Sequence, residues 1–122
     1  KSKLVLIVDD EETLYDVLAM YFEMEEFTVF KAYNGFEGRE ILKNNPEIKL
    51  IISDVRMPNG DGLFLLKYVK NNCSPEVKVI MLSGFTGNIE EELMGLGAFA
   101  LFPKPTEPRT LVEFVKSKID WQ

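Results

Sequence analysis

Four short apolar runs in this chain each stop at residues able to manage charge. Leu4-Val5-Leu6-Ile7-Val8 ends at Asp9-Asp10, and Leu50-Ile51-Ile52 ends at Ser53-Asp54. Val77 to Leu82 ends at Ser83, and Ala98 to Phe102 stops just before Lys104. Carboxylates brought close together repel one another, which raises a pKa or attracts a cation. An oxygen-only donor set without His or Cys selects a hard ion, and a small open carboxylate site favours Mg²⁺ over Ca²⁺. Such a metal would bridge carboxylate and phosphoryl oxygens, leaving the Lys104 ammonium to take another. Singly, each residue has an ordinary role as a cap, a turn hydroxyl or a solvated loop charge. The chemistry rests on their joint placement.

That placement depends on the elements carrying them. Runs apolar on both sides belong to parallel strands covered by helices on each face, and Thr28 to Ala32 supplies a fifth candidate. Between the runs the period becomes helical. Leu14, Val17, Leu18, Tyr21 and Phe22 predict one buried stripe. Phe36 to Lys43, Leu63 to Lys70, Asn88 to Met94 and Leu111 to Ile119 predict further helices. Asn34-Gly35, Asn59-Gly60 and Asp61-Gly62 read as turns, and Asn88 as a helix N-cap. Strands alternating with helices give an α/β domain with a parallel sheet, whose ligands bind outside the carboxyl ends of the strands. Asp9, Asp10, Asp54, Ser83 and Lys104 would all meet at that edge.

Composition narrows the function. Twenty Asp and Glu against fourteen Lys and Arg leave a net charge of −6, which disfavours nucleic acid and anionic lipid as direct partners. The chain has no histidine, which removes Ser-His-Asp and Cys-His catalysis and any histidine switch. Cys73 is the single cysteine, so no intrachain disulfide forms, in keeping with a cytoplasmic location. No apolar run approaches the ~20 residues that span a bilayer. The 122 residues suit a single domain over 1–122, and a start at Lys1 rather than Met is compatible with a piece of a longer protein.

The motifs together resemble the receiver domain of response regulators in two-component signalling. Val8 to Glu12 (VDDEE) is similar to the family's acidic pair after the first strand. Asp54 to Gly62 (DVRMPNGDG) agrees with D-x-x-M-P-x-x-D-G at every fixed position. Ala32 to Gly38 (AYNGFEG) resembles A-x-N-G-x-E-A with Gly38 in place of Ala, and Ser83-Gly84 and Lys104-Pro105 complete the set. The resemblance runs from Leu4 to Ile119 and implies a doubly wound sheet of flavodoxin-like order 2-1-3-4-5, with five helices on both faces.

The resemblance also implies roles. Asp54 would accept a phosphoryl group from a histidine kinase or histidine phosphotransfer protein. Asp10, Asp54 and the Arg56 backbone carbonyl would hold Mg²⁺, with Asp9 acting through water. Ser83 and Lys104 would bind phosphoryl oxygens, and the Lys104–Pro105 peptide would be cis. Output would pass to a downstream protein or effector domain through about Asn88 to Ile119. The chain would catalyse only its own phosphorylation and dephosphorylation, so it is not an enzyme in the usual sense.

Departures from the pattern fall on the switch. Leu101 stands where the family usually has Tyr or Phe, with Phe102 or Phe85 as candidate substitutes. Arg56 and Phe85 would border the path of hydrolytic water and so set the phosphoryl lifetime. Two other classes fit the residues less well. A phosphohydrolase of the haloacid dehalogenase type needs a D-x-D pair, which Asp54-Val55-Arg56 does not supply. A pseudo-receiver binding module lacks part of the acidic set or the lysine, and here all are present. Elsewhere, Glu90-Glu91-Glu92 reads as a solvated helix face, Met20 and Met24 as gap-filling, and Cys73 as an incidental loop residue. Phe99 and Phe102 read as core or as an interaction patch.

Overall fold

The apolar runs become five parallel strands, β1 (Lys3–Val8), β2 (Phe27–Ala32), β3 (Leu50–Asp54), β4 (Lys78–Ser83) and β5 (Ala100–Pro103). Helices α1 (Glu12–Met24), α2 (Gly35–Asn44), α3 (Gly62–Asn72), α4 (Ile89–Gly95) and α5 (Pro108–Lys118) alternate with them. The computed structural model describes residues 3–57, 61–84, 89–119 and 121. The sheet order is β2-β1-β3-β4-β5, the expected one.

Both faces of the sheet are covered. Leu6, Val8, Ile51 and Met81 pack beneath Leu42 of α2, Leu65 and Leu66 of α3, and Leu93 of α4. Val5, Ile7, Ile52 and Ile80 pack beneath Leu18 and Phe22 of α1 and Leu111 and Val115 of α5. Alternation along each strand sends successive side chains to opposite layers, so Leu4–Val8 of β1 and Leu50–Ile52 of β3 are apolar on both sides.

The starts of α2 and α3 are capped by side chains. Asn34 accepts from the Glu37 N–H at 2.9 Å, while Glu37 accepts from the Tyr33 N–H at 2.8 Å, an exchange close to a capping box. Asp61, expected only as a turn residue, accepts from the Phe64 N–H at 3.0 Å and caps α3. Pro108 opens α5 three residues before the predicted Leu111, the position where its missing N–H costs nothing. Ala98, predicted in the last strand, instead stops α4. Gly97 takes φ +102°, and the Ala98 N–H bonds the Leu93 carbonyl at 3.1 Å. Asn88 and the Asn59-Gly60 turn lie outside the described residues.

The stripe predicted on α1 is rotated. Tyr15, Leu18, Ala19 and Phe22 are the buried residues, while Leu14 and Val17 are more than a third exposed. Met20 and Met24, expected to fill gaps, are 50% and 69% exposed. Tyr15 and Ala19 join Leu18 and Phe22 in the core on the α1–α5 face of the sheet, and the Tyr15 ring also stacks on Tyr33 at 5.3 Å. At the other end of the molecule, Trp121 meets the first residue of β2 edge-on, its ring 5.2 Å from Phe27.

Candidate functional site

The three aspartates come together at the carboxyl ends of β1 and β3. Asp9 follows β1, and its N–H extends the ladder to the Ala32 carbonyl at 3.1 Å. Asp54 closes β3 and is buried, as is Asp9, while Asp10 is exposed. Each of Asp9, Asp10 and Asp54 offers a carboxylate oxygen within 4.8 Å of the others, a spacing that a small hard cation can bridge.

Lys104 reaches into this cluster from the segment after β5. Its Nζ lies 2.7 Å from Asp54 Oδ2, 3.1 Å from Asp9 Oδ2 and 2.9 Å from Glu11 Oε1. The Lys104 N–H also bonds the Ser83 carbonyl at 2.8 Å, and the Lys104–Pro105 peptide is cis. Burial alone pulls the ammonium down, but hydrogen bonds to Asp54, Glu11 and Asp9 outweigh it and hold Lys104 above its ordinary value. Asp9 is raised from the usual carboxylate range because burial outweighs the Glu11 N–H and the Lys104 ammonium.

The scaffold behind Asp54 is tight. The buried Ser53 hydroxyl donates to the Asp54 carbonyl at 2.8 Å, and the Gly62 N–H bonds the Val55 carbonyl at 2.8 Å. A Cβ on Gly62 would run into the Asp54 carbonyl oxygen and lie 2.9 Å from Val55 Cα, so only glycine fits. Ser83 sits one residue past Leu82, the register partner of Asp54, and its hydroxyl donates to the Gly84 carbonyl at 2.9 Å. Arg56 leaves β3 with an exposed side chain.

The candidate switch residues separate. Leu101 is half-buried against the α2–α3–α4 layer. Phe102 packs in the other layer, its ring 5.0 Å from Phe114 of α5. Phe102 thus lies on the opposite face of the sheet from Leu101. Phe85 lies outside the described residues.

Two features escaped the sequence. In the sequence Glu11 reads only as part of an acidic run, although its place two residues after Asp9 is the available signal. The other is a groove of about 360 Å³ between α1 and the start of α5. It is walled by Leu14, Val17, Pro105, Pro108 and Leu111, and Asp9 and Lys104 also line it.

Comparison with known proteins agrees with this arrangement. The family described as response regulator receiver domain matches residues 5–116, and the chain belongs to it. The transcriptional regulatory protein CpxR homolog of Haemophilus influenzae is 37% identical over 117 residues, 95% of this chain and 49% of that protein. A CheY-like response regulator receiver domain protein from Methanospirillum hungatei is 31% identical, with a TM-score of 0.87 over 97% of this chain and 94% of that one. CheY in the CheX–CheY–BeF₃–Mg²⁺ complex from Borrelia burgdorferi is a further structural relative. That match has a TM-score of 0.83 and 28% identity over 94% of this chain and 87% of the matched one. The chain spans about half the length of the curated relatives it matches. No helix among the described residues is long and apolar enough to cross a membrane.

Proposed function

We propose that this domain is a phosphorylation-dependent switch in which Asp54 accepts a phosphoryl group while Mg²⁺ is bound. The observation that carries the reading is the Lys104 ammonium 2.7 Å from Asp54 Oδ2, beside a three-aspartate cluster at one sheet edge. Asp10, Asp54 and the Arg56 backbone carbonyl would hold the metal, with Asp9 acting through water. When bound, Mg²⁺ supplies charge neutralisation for phosphoryl oxygens. The BeF₃ and Mg²⁺ in the related Borrelia complex support the same assignment.

The chain's own residues do the rest. An Asp54 oxygen attacks phosphorus on a phosphohistidine of a kinase or phosphotransfer protein. The P–N bond breaks with its electron pair left on the imidazole nitrogen, and a P–O bond forms. Lys104 and the Ser83 hydroxyl take phosphoryl oxygens, so transfer relies on positioning and charge. Water attack on the same phosphorus later restores the carboxylate and releases inorganic phosphate. The chain acts only on itself, unlike an enzyme with multiple turnover on small esters. The groove beside Lys104 offers apolar surface to the donor protein, and about Asn88 to Ile119 serves the downstream partner.

A cytoplasmic location follows the family's signalling role. Acidic balance argues against nucleic acid as a direct partner of this segment. That expectation does not extend to a longer product, because matched relatives are transcriptional regulatory proteins. Labelling with acetyl phosphate and Mg²⁺ tests the assignment. The label should map to Asp54 and vanish in Asp54→Asn, whereas a stable phosphoryl group on Ser83 or Ser53 refutes it.

A further inference from the structure

Lys104 has three N–H donors, and carboxylates occupy all of them: Asp54 at 2.7 Å, Glu11 at 2.9 Å and Asp9 at 3.1 Å. Two of these acceptors belong to the cluster able to hold a cation. Glu11 does not, and nothing in the phosphoryl chemistry uses it. Its side chain is 60% exposed, against 13% for Lys104, so it reaches inward from the rim to make this contact. Its backbone is pinned on both sides. The Glu11 N–H donates to Asp9 Oδ1 at 2.9 Å, and the Glu11 carbonyl accepts from the Tyr15 N–H at 3.1 Å.

We infer that Glu11 is a positioning residue, holding the Lys104 ammonium at rest and competing with an incoming phosphoryl oxygen for it. The inference rests on the reading of Asp54 as acceptor. With the cluster holding a cation, Asp54 directly and Asp9 through water would be engaged by it, leaving Glu11 as the resting partner that Lys104 must give up. Glu11 thus raises the threshold for occupancy of the site without touching the phosphoryl group. The contact spans the mouth of the site, so it also ties the start of α1 to the segment after β5 until phosphorylation releases it.

The test uses the whole chain at saturating Mg²⁺, with beryllofluoride affinity read from amide shifts and labelling rate read with acetyl phosphate. Glu11→Gln keeps the size and removes the charge. It should bind beryllofluoride about two- to fivefold more tightly and label faster, the scale of an exposed ion pair. Glu11→Asp keeps the charge but is one methylene too short for the 2.9 Å contact, and it should follow Glu11→Gln. Unchanged or weaker binding in Glu11→Gln overturns the inference. So does a Glu11→Asp variant that behaves as wild type, since that outcome belongs to net charge and not to the contact. A wild type that neither binds beryllofluoride nor labels takes the Asp54 reading down first, and this one with it.

Discussion

Leu101 and Phe102 are neighbours in β5 yet face opposite layers of the molecule, Leu101 toward α2, α3 and α4, and Phe102 toward Phe114 of α5. Consecutive strand residues point to opposite faces, so exchanging them would take a one-residue slip of β5. That slip would break the pairing of Leu82 with Phe102 and of Ser83 with Pro103.

The output surface should therefore respond weakly. With beryllofluoride and Mg²⁺, the largest amide shifts are expected at Ser83, Gly84 and the residues that follow, with small ones across β5 and α5. Leu101→Tyr restores a ring on the correct face and should enlarge the β5 and α5 shifts. Shifts centred on α1 with none after Gly84 would be the wrong outcome.

Metal binding should show in stability as well as in labelling. A ligand at about 100 times its Kd stabilises by ~2.7 kcal/mol if it binds only the folded state. Urea unfolding with and without Mg²⁺ should show a gain of that order in the wild type and none in Asp10→Ala. Without metal, Asp10→Ala should be no less stable than the wild type, because one of the clustered like charges is gone. Equal labelling of the wild type in excess chelator would contradict the metal assignment.

Two glycines should behave oppositely when changed to alanine. At Gly62 the new Cβ meets backbone, the Asp54 carbonyl and Val55 Cα, which cannot yield without moving Asp54. A loss of about 1–3 kcal/mol is expected, together with slower phosphorylation. At Gly38 the Cβ would lie 3.3 Å from Leu65 Cδ2 and 3.4 Å from Val8 Cγ2, both on side chains that can shift. The ~0.5–1 kcal/mol helix gain of alanine should offset that crowding, leaving stability nearly unchanged. Chemical denaturation of both variants separates the cases.

The phosphoryl lifetime should be long. The guanidinium of Arg56 offers donors but no carboxamide to orient water, and the aromatic ring of Phe85 is suited to excluding it. Arg56→Asn and Phe85→Ala should each shorten the lifetime, by ~10-fold if ~1.4 kcal/mol of barrier depends on shielding. Unchanged lifetimes in both would mean that water arrives by another route.

The sheet and its charged edge were legible because β1, β3 and β4 carry unbroken apolar runs ending in polar residues, a pattern that burial on both faces imposes. The site residues Asp9, Asp10, Asp54 and Lys104 followed from where those runs stop. The exposed side of α1 was not legible. Leu14 and Val17 fit a buried stripe as well as Tyr15 and Ala19 do, and the rotation is decided by partners distant in sequence, the strand and α5 residues against which Tyr15, Leu18, Ala19 and Phe22 pack. Glu11 was hidden for a similar reason. Its partner Lys104 is far along the chain, and a glutamate at a helix start looks like ordinary dipole chemistry.

The contact between Trp121 and Phe27 decides what light can report about this domain. The ring sits where β2 begins, whereas Asp9 binds the carbonyl of Ala32, where β2 ends. Six residues of strand, roughly 17 Å at ~3.3 Å per residue, separate the chain's one indole from the phosphoryl edge. Its emission should shift when urea strips the ring from Phe27 and stay constant when Asp54 is phosphorylated. Intrinsic fluorescence is thus a clean gauge of unfolding and blind to signalling, and a dye on the α1 rim near Val17 would be needed to see the switch itself.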